Sequence, residues 1–331
     1  MPQNTHVEIA TAEAERLPEH AEEVMPDLSD LRARAAELAK QLAWIPKTES
    51  SHSFDRRFTV LQKQLTPVFE SLEKVRPDAP SGEDFRWLRQ NIRLVVSALQ
   101  DTAAALAQLH TLPHVRVLSG EVMPRVAAIA DQFIQSANLE FSDTGFAAFV
   151  GSFQEHSPLQ MAELWALVPA LKLSLLEQIA HRSPELLEDP KGNYGVGVCV
   201  RSLRNAGQAP WKDLIEPLIV FDRVLCQDPA GAYAQMDFDS RKVYRDAVEE
   251  IAVRSDMSEI EVAAAALTGK RREILETHGS AIGDAALARR LLPDCRRCNA
   301  PAPQGKLSAW AVDANPDDPA AASGRILSSS H

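Results

Sequence analysis

Apolar residues along this chain recur at three- and four-residue intervals far more often than they alternate, which predicts helix after helix. In "SDLRARAAELAKQLAW", Leu31, Ala35, Leu38 and Leu42 share one stripe, and Ser29 is the expected cap. "FDRRFTVLQKQLTPVFESLEKV" reads as a second helix, bent at Pro67. The long segment "SGEDFRWLRQNIRLVVSALQDTAAALAQLH" opens on Ser81-x-x-Asp84, which resembles a capping box with a shorter acid than usual. Phe85, Leu88, Ile92, Val95, Val96, Leu99, Leu106 and Leu109 mark its buried face.

Shorter helices are expected around 122–137 and 142–155. Ser157-Pro158 then offers a cap and a first-turn proline for "PLQMAELWALVPALKLSLLEQIAHR", where Pro169 should kink the helix or end its first half. A joint carrying Gly192, Gly195 and Gly197 precedes "CVRSLRNAG", which Gly207 can close, and Pro210 begins "WKDLIEPLIVFDRVLCQD". Ser258-x-x-Glu261 is a capping box for "EIEVAAAALTGKRREILE". Alternating β-branched runs are missing, so no strand ladder is expected, and no repeat of fixed period is visible. The pattern predicts an all-α fold, a multi-helix bundle or irregular helical array of roughly nine to eleven helices.

Composition agrees with that picture. The 331 residues are 45% hydrophobic and only 6% aromatic, enough for a substantial core rich in Ala and Leu. The net charge of −11 argues against nonspecific attraction to nucleic acid or an anionic membrane. Much of it sits in the first thirty residues, where Glu8, Glu13, Glu15, Glu19, Glu22, Glu23, Asp27 and Asp30 face Arg16 alone. Residues 1–28 are therefore expected to be an acidic disordered tail, 29–292 the helical domain, and 293–331 a disordered tail rich in Pro, Ala and Ser. The start lacks a basic stretch followed by an apolar run, and the most apolar helix, from Met161, carries Glu163, Lys172 and Glu177. With four cysteines in so long a chain, the expectation is a soluble protein of the reducing cytoplasm, without a membrane span.

Candidate chemistry centres on "DPAGAYAQMDFDSRKVYRDAVEEIA", residues 228–252. The acidic pair Asp237 and Asp239 has the spacing with which many sugar-nucleotide glycosyltransferases hold a metal. Those pairs usually end a buried strand, whereas this one follows a turn, and Asp239 or Ser240 can cap the helix beyond. Val243, Ala247, Val248 and Ile251 form its expected core stripe. Arg241, Lys242 and Arg245 crowd the helix start against the macrodipole, so nearby carboxylates would also relieve repulsion. Capping is the preferred reading over metal binding. Cys295-x-x-Cys298 is half a zinc site without its other half, since Cys199 and Cys226 stand singly. The glycines at 192, 195 and 197 form neither GxGxxG nor a Walker loop, and no strand precedes them. No nucleophilic triad emerges, no cofactor is called for, and Trp211 and Tyr233 remain as candidate carbohydrate-stacking residues.

Four segments occur in an order that resembles a known family: "DFRWLRQNIRLVVSAL", "MAELWALVPALKLSLLEQIA", "VRSLRNAGQAPWKDLIEPL" and "DPAGAYAQMDFDSRKVYRDAVEEIA". Together they look like the N-terminal helical region of the cyclic β-1,2-glucan synthases, over about residues 50–268. The resemblance implies a lineage that makes β-1,2-glucan from UDP-glucose at the inner membrane, with spans and catalytic modules downstream of this region. None of those modules has matching positions here, so no catalytic residue carries over. The expectation is a non-catalytic interaction or regulatory domain, a truncated or split gene product, with a membrane-bound glucan synthase as a conceivable partner. A subunit of a split synthase, or a glucan-binding module, stands as the alternative.

Overall fold

The computed structural model describes residues 27–45, 53–75, 80–109, 111–228, 231–255 and 257–268. The two tails expected at 1–28 and 293–331 lie almost wholly outside these residues, as do Cys295 and Cys298. Among the described residues there are twelve α-helices and three very short strands. The order is α1 (Leu28–Gln41), β1 (Ala43–Trp44), α2 (Ser53–Lys74), α3 (Glu83–Gln90), α4 (Ile92–Leu109), β2 (His114–Arg116), β3 (Val122–Pro124), α5 (Arg125–Ser136) and α6 (Asp143–Gln154). There follow α7 (Met161–Glu188), α8 (Val196–Gln208), α9 (Trp211–Ile215), α10 (Val220–Leu225), α11 (Phe238–Arg254) and α12 (Glu259–Thr268).

The fold is all-α, with one correction. The strands form a small antiparallel sheet in the order β1-β2-β3, with Trp44 opposite Val115 and Val115 opposite Met123. Strands of two or three residues are too short to carry an alternating pattern, so nothing in the periodicity announces them.

Helix α7 is the axis of the array. Its 28 residues span roughly 42 Å at the usual rise, and it packs against α2, α4, α5 and α8. Leu164, Leu167, Leu171, Leu173, Leu175, Leu176 and Ile179 are all essentially inaccessible. Burial on several sides explains why the helix continues through Pro169 and Pro184 instead of ending at the first. A proline inside a helix costs about 3 kcal/mol, and packing on this scale offsets it. Around this axis α1 lies on α6, α3 on α8, and α12 on α10 and α11.

One cap stands where it was expected. Ser258 and Glu261 form the expected box, with Ser258 N–H donating to Glu261 Oε2 at 2.8 Å and Glu261 N–H to Ser258 Oγ at 3.3 Å. Elsewhere the cap moves. Asp27, not Ser29, caps α1; Gln160 with Glu163, not Ser157-Pro158, caps α7; and Gly82 rather than Ser81 precedes α3. The stretch from Glu83 is two helices, because Asn91 leaves helical geometry at φ −112°, ψ 18°.

Candidate functional site

The segment 228–252 is built as a turn leading into a capped helix. Asp228 closes the turn by accepting the Ala232 N–H at 3.0 Å, and Gly231 takes a left-handed φ of 66° that a side chain would strain. A single 3₁₀ turn over Tyr233–Gln235 follows, and then α11. Its cap is Asp237, whose Oδ1 accepts the Ser240 N–H at 2.7 Å. That bond holds the Asp237 carboxyl below its usual range. Asp239 and Ser240, the two caps the sequence offered, both lie inside the helix, and Asp239 is exposed with Lys212 Nζ at 3.4 Å. The two aspartates thus have separate tasks. Among the described residues no three His, Cys, Asp or Glu side chains converge in a metal-holding group.

Repulsion at the start of α11 is relieved mainly from other elements. Arg245 is fully buried and paired bidentately with Asp222 of α10, and its Nη2 also reaches Glu216 at 2.8 Å. Arg241 joins the same Glu216 at 3.1 Å and donates to the Ala234 carbonyl at 2.8 Å. Tyr233 completes the cluster by donating its hydroxyl to Asp222 at 2.6 Å. Burial, and then that hydrogen bond, raise the phenol well above its ordinary pKa. Tyr233 is 0% exposed, so its ring has no face open for a sugar. Trp211 is half-buried against Phe141 and Phe146, and its indole N–H donates to the Ala206 carbonyl at 2.8 Å. The two candidate stacking residues therefore sit in different seams, each with its polar atom engaged. Ala247, Val248 and Ile251 of the expected α11 stripe are buried, but at its start Tyr244 and Arg245 are buried while Val243 is 44% exposed.

A second buried ion pair stands at the start of α7. Arg125, the first residue of α5, is paired through Nε and Nη2 with both oxygens of Glu163, and the two are 1% and 0% exposed. Arg125 also donates to Ser157 Oγ at 2.8 Å and the Pro158 carbonyl at 3.0 Å, and its guanidinium lies 4.3 Å from the Trp44 ring centre. Two residues before Glu163, the Met161 N–H donates to both oxygens of Glu259, at 3.1 and 3.0 Å, so the last described helix is tied to the first turn of the central one.

The glycine-rich joint has an equally concrete explanation. Asp84 of α3 is buried and accepts N–H groups of Tyr194 at 2.7 Å, Val196 at 3.1 Å and Gly197 at 2.9 Å. It caps α8 from a distant part of the chain, filling the place an anion would take at a helix N-terminus. A Cβ on Gly197 would stand 2.7 Å from Asp84 Oδ1, which is why this position is glycine. Cys199, two residues further on, is buried, and desolvation pushes its thiol up to about 12, an inert sulfhydryl.

An open groove of about 610 Å³ runs between α2, the β2–β3 hairpin and α7. Arg56, Gln64, Glu121, Gln178 and His181 line it with polar groups, while Val60, Leu61 and Val122 add an apolar strip. Arg57 is fixed in its wall by Asp131 at 2.9 Å and by Glu177, whose Oε1 is 2.9 Å from Nε. Such a lining suits hydroxyl- or amide-bearing ligands. Sequence reasoning did not find this groove, nor the buried pairs. The available signal was charge in phase with apolar stripes, such as Arg125 four residues before Ile129 and Glu163 four before Leu167.

No known family profile matches the chain. It is similar to the cyclic β-(1,2)-glucan synthase NdvB of Rhizobium meliloti (strain 1021), 24% identical over 329 residues. The match takes in 72% of this chain and 11% of that protein, so the chain spans about a ninth of its relative's length. The four ordered segments and this alignment agree: the chain is a distant relative of the cyclic β-(1,2)-glucan synthases.

Proposed function

We propose that this chain is a non-catalytic helical module for interaction or regulation, similar to the N-terminal part of a cyclic β-1,2-glucan synthase. The reading starts from the distant similarity, which takes in 72% of this chain. The use of its buried charges supports it. Asp84 caps α8, Arg125 and Glu163 join α5 to α7, and Arg245 and Asp222 join α11 to α10. In this reading residues 29–292 act as one domain in the cytoplasm and reach the inner membrane through a partner, such as a membrane-bound glucan synthase. Among the described residues no helix is long and apolar enough to cross a membrane. Purified chain incubated with UDP-glucose and Mg²⁺ or Mn²⁺ should yield no glucan and no free UDP above background. Reproducible glucosyl transfer would overturn the proposal.

The groove favours a second reading, glucan binding. Its guanidinium, amide and imidazole groups beside a short apolar strip match the alternating hydroxyl and C–H faces of a sugar, without Trp211 or Tyr233. Calorimetric titration with β-1,2-glucan would give saturable heat, abolished by Arg56→Ala with Gln178→Ala. A heat signal that the double variant leaves intact removes the groove from consideration.

A further inference from the structure

The groove between α2, the β2–β3 hairpin and α7 holds two arginines, and one of them is already engaged by the protein itself. Arg57, on α2, meets carboxylates from two other helices. Glu177 of α7 accepts from Nε at 2.9 Å and reaches Nη2 as well. Asp131 of α5 accepts from Nη2 with both oxygens, at 3.1 and 2.9 Å. Nη1 meets the Met123 sulfur at 3.9 Å. Every nitrogen of the guanidinium therefore has a partner within the fold. The Arg57 side chain is 17% exposed and those of Asp131 and Glu177 are 25% exposed, which places the cluster in the groove wall and not in the core.

The charge a ligand would meet follows from this. Arg56 and Arg57 are balanced by Glu121 and Glu177, and Asp131 brings the group to a net −1. An anion entering beside Arg57 finds its donors taken and two carboxylates close by. Arg56 is exposed, where water and salt screen its charge. What the groove offers is chiefly hydrogen bonding, from the amides of Gln64 and Gln178 and the His181 ring, with glutamate oxygens as acceptors for hydroxyls. Val60, Leu61 and Val122 add apolar contact. We infer that the groove selects an uncharged, hydroxyl-bearing ligand over an anionic one, and that Asp131 and Glu177 set this selectivity by occupying Arg57. The inference rests on the reading of the groove as a glucan site and narrows it. A neutral glucan chain is accepted, and a phosphate-bearing sugar or nucleotide is refused.

Nitrogen-15 NMR of the full chain, with inorganic pyrophosphate as the probe, tests this. Burial pushes the Asp131 carboxyl up, so the titration is run at about pH 8 to keep it ionised. In the wild type the amides of Val122, Gln178 and His181 should stay in place at millimolar pyrophosphate. In Asp131→Asn/Glu177→Gln the guanidinium is released, and the same amides should shift saturably. Adding Arg57→Gln to that pair should abolish the shift. Saturable shifts in the wild type overturn the inference, as does a double variant as indifferent to pyrophosphate as the wild type. A response that survives Arg57→Gln overturns it too. Should the double variant fail to fold, Glu177→Gln alone gives the reading, and unmoved amides there overturn the inference equally. A separate titration with β-1,2-glucan keeps the two readings apart. Absence of heat removes the glucan site and leaves the pyrophosphate result standing, whereas glucan heat beside wild-type pyrophosphate binding keeps the site and removes the selectivity.

Discussion

Glu259 holds α12 to the first turn of α7 with a carboxylate kept away from water. Burial pushes it up to about 7, opposed by the Met161 N–H and reinforced by the Glu249 and Glu163 carboxylates. The folded state thus binds its proton more tightly than the unfolded chain does. This contribution to stability is complete below the ordinary glutamate range and is lost as pH rises through about 7. Glu259→Gln fixes the neutral form. Relative to that variant, the wild type should lose on the order of 2–3 kcal/mol between pH 4.5 and 8, measured by urea unfolding across the range. A constant difference between the two proteins would show that Glu259 is not the titrating group. Arg125 makes a different prediction. Arg125→Met leaves Glu163 buried without its partner and should cost about 3–5 kcal/mol, whereas adding Glu163→Leu should restore most of it. A double-mutant cycle by chemical denaturation reads this directly. At this scale sequence distance hid the ties between elements. Ser258 and Glu261 are three residues apart and could be paired by eye, but Asp84 and Gly197 are 113 apart, and only the fold unites them.

Elements are held together by polar ties at their ends as much as by packing along their sides. Asp84→Ala removes the acceptor for N–H groups at the start of α8 and should cost about 1–3 kcal/mol. Hydrogen exchange at Tyr194–Gly197 should accelerate locally by more than the global loss explains. Uniform acceleration would instead mean that α3 itself had moved. The helices were legible because long amphipathic stretches impose their own period, as in α1, where Leu31, Ala35 and Leu38 are buried as expected. Phase was less legible. In α11 the buried stripe passes through Tyr244 and Arg245, because a guanidinium with a carboxylate across from it is compatible with a core. A hydropathy pattern assigns such a residue to the surface. The three short strands and the passage of α7 through Pro169 likewise depend on neighbours distant in sequence.

For the molecule as a whole, one continuous apolar cluster runs from Leu31 to Ala265, with α7 threaded through it. Helices before and after α7 share the same core side chains, which predicts a single cooperative unfolding transition. Leu175→Ala, at the centre of that axis, should lower stability by about 2–5 kcal/mol with coincident transitions by Trp fluorescence and far-UV circular dichroism. Separate midpoints would divide the array into two independently stable halves. The all-α class and the kinship to glucan synthases were both readable from the chain, since each rests on long segments in order. The groove was not, for its walls come from α2, the hairpin and α7, which meet only after folding. One detail of that assembly reaches from the outermost layer to the innermost. Trp44 is 60% exposed, yet its ring rests over Arg125, which is 1% exposed. An indole open to a quencher in the solvent thus lies against an ion pair that no solvent reaches.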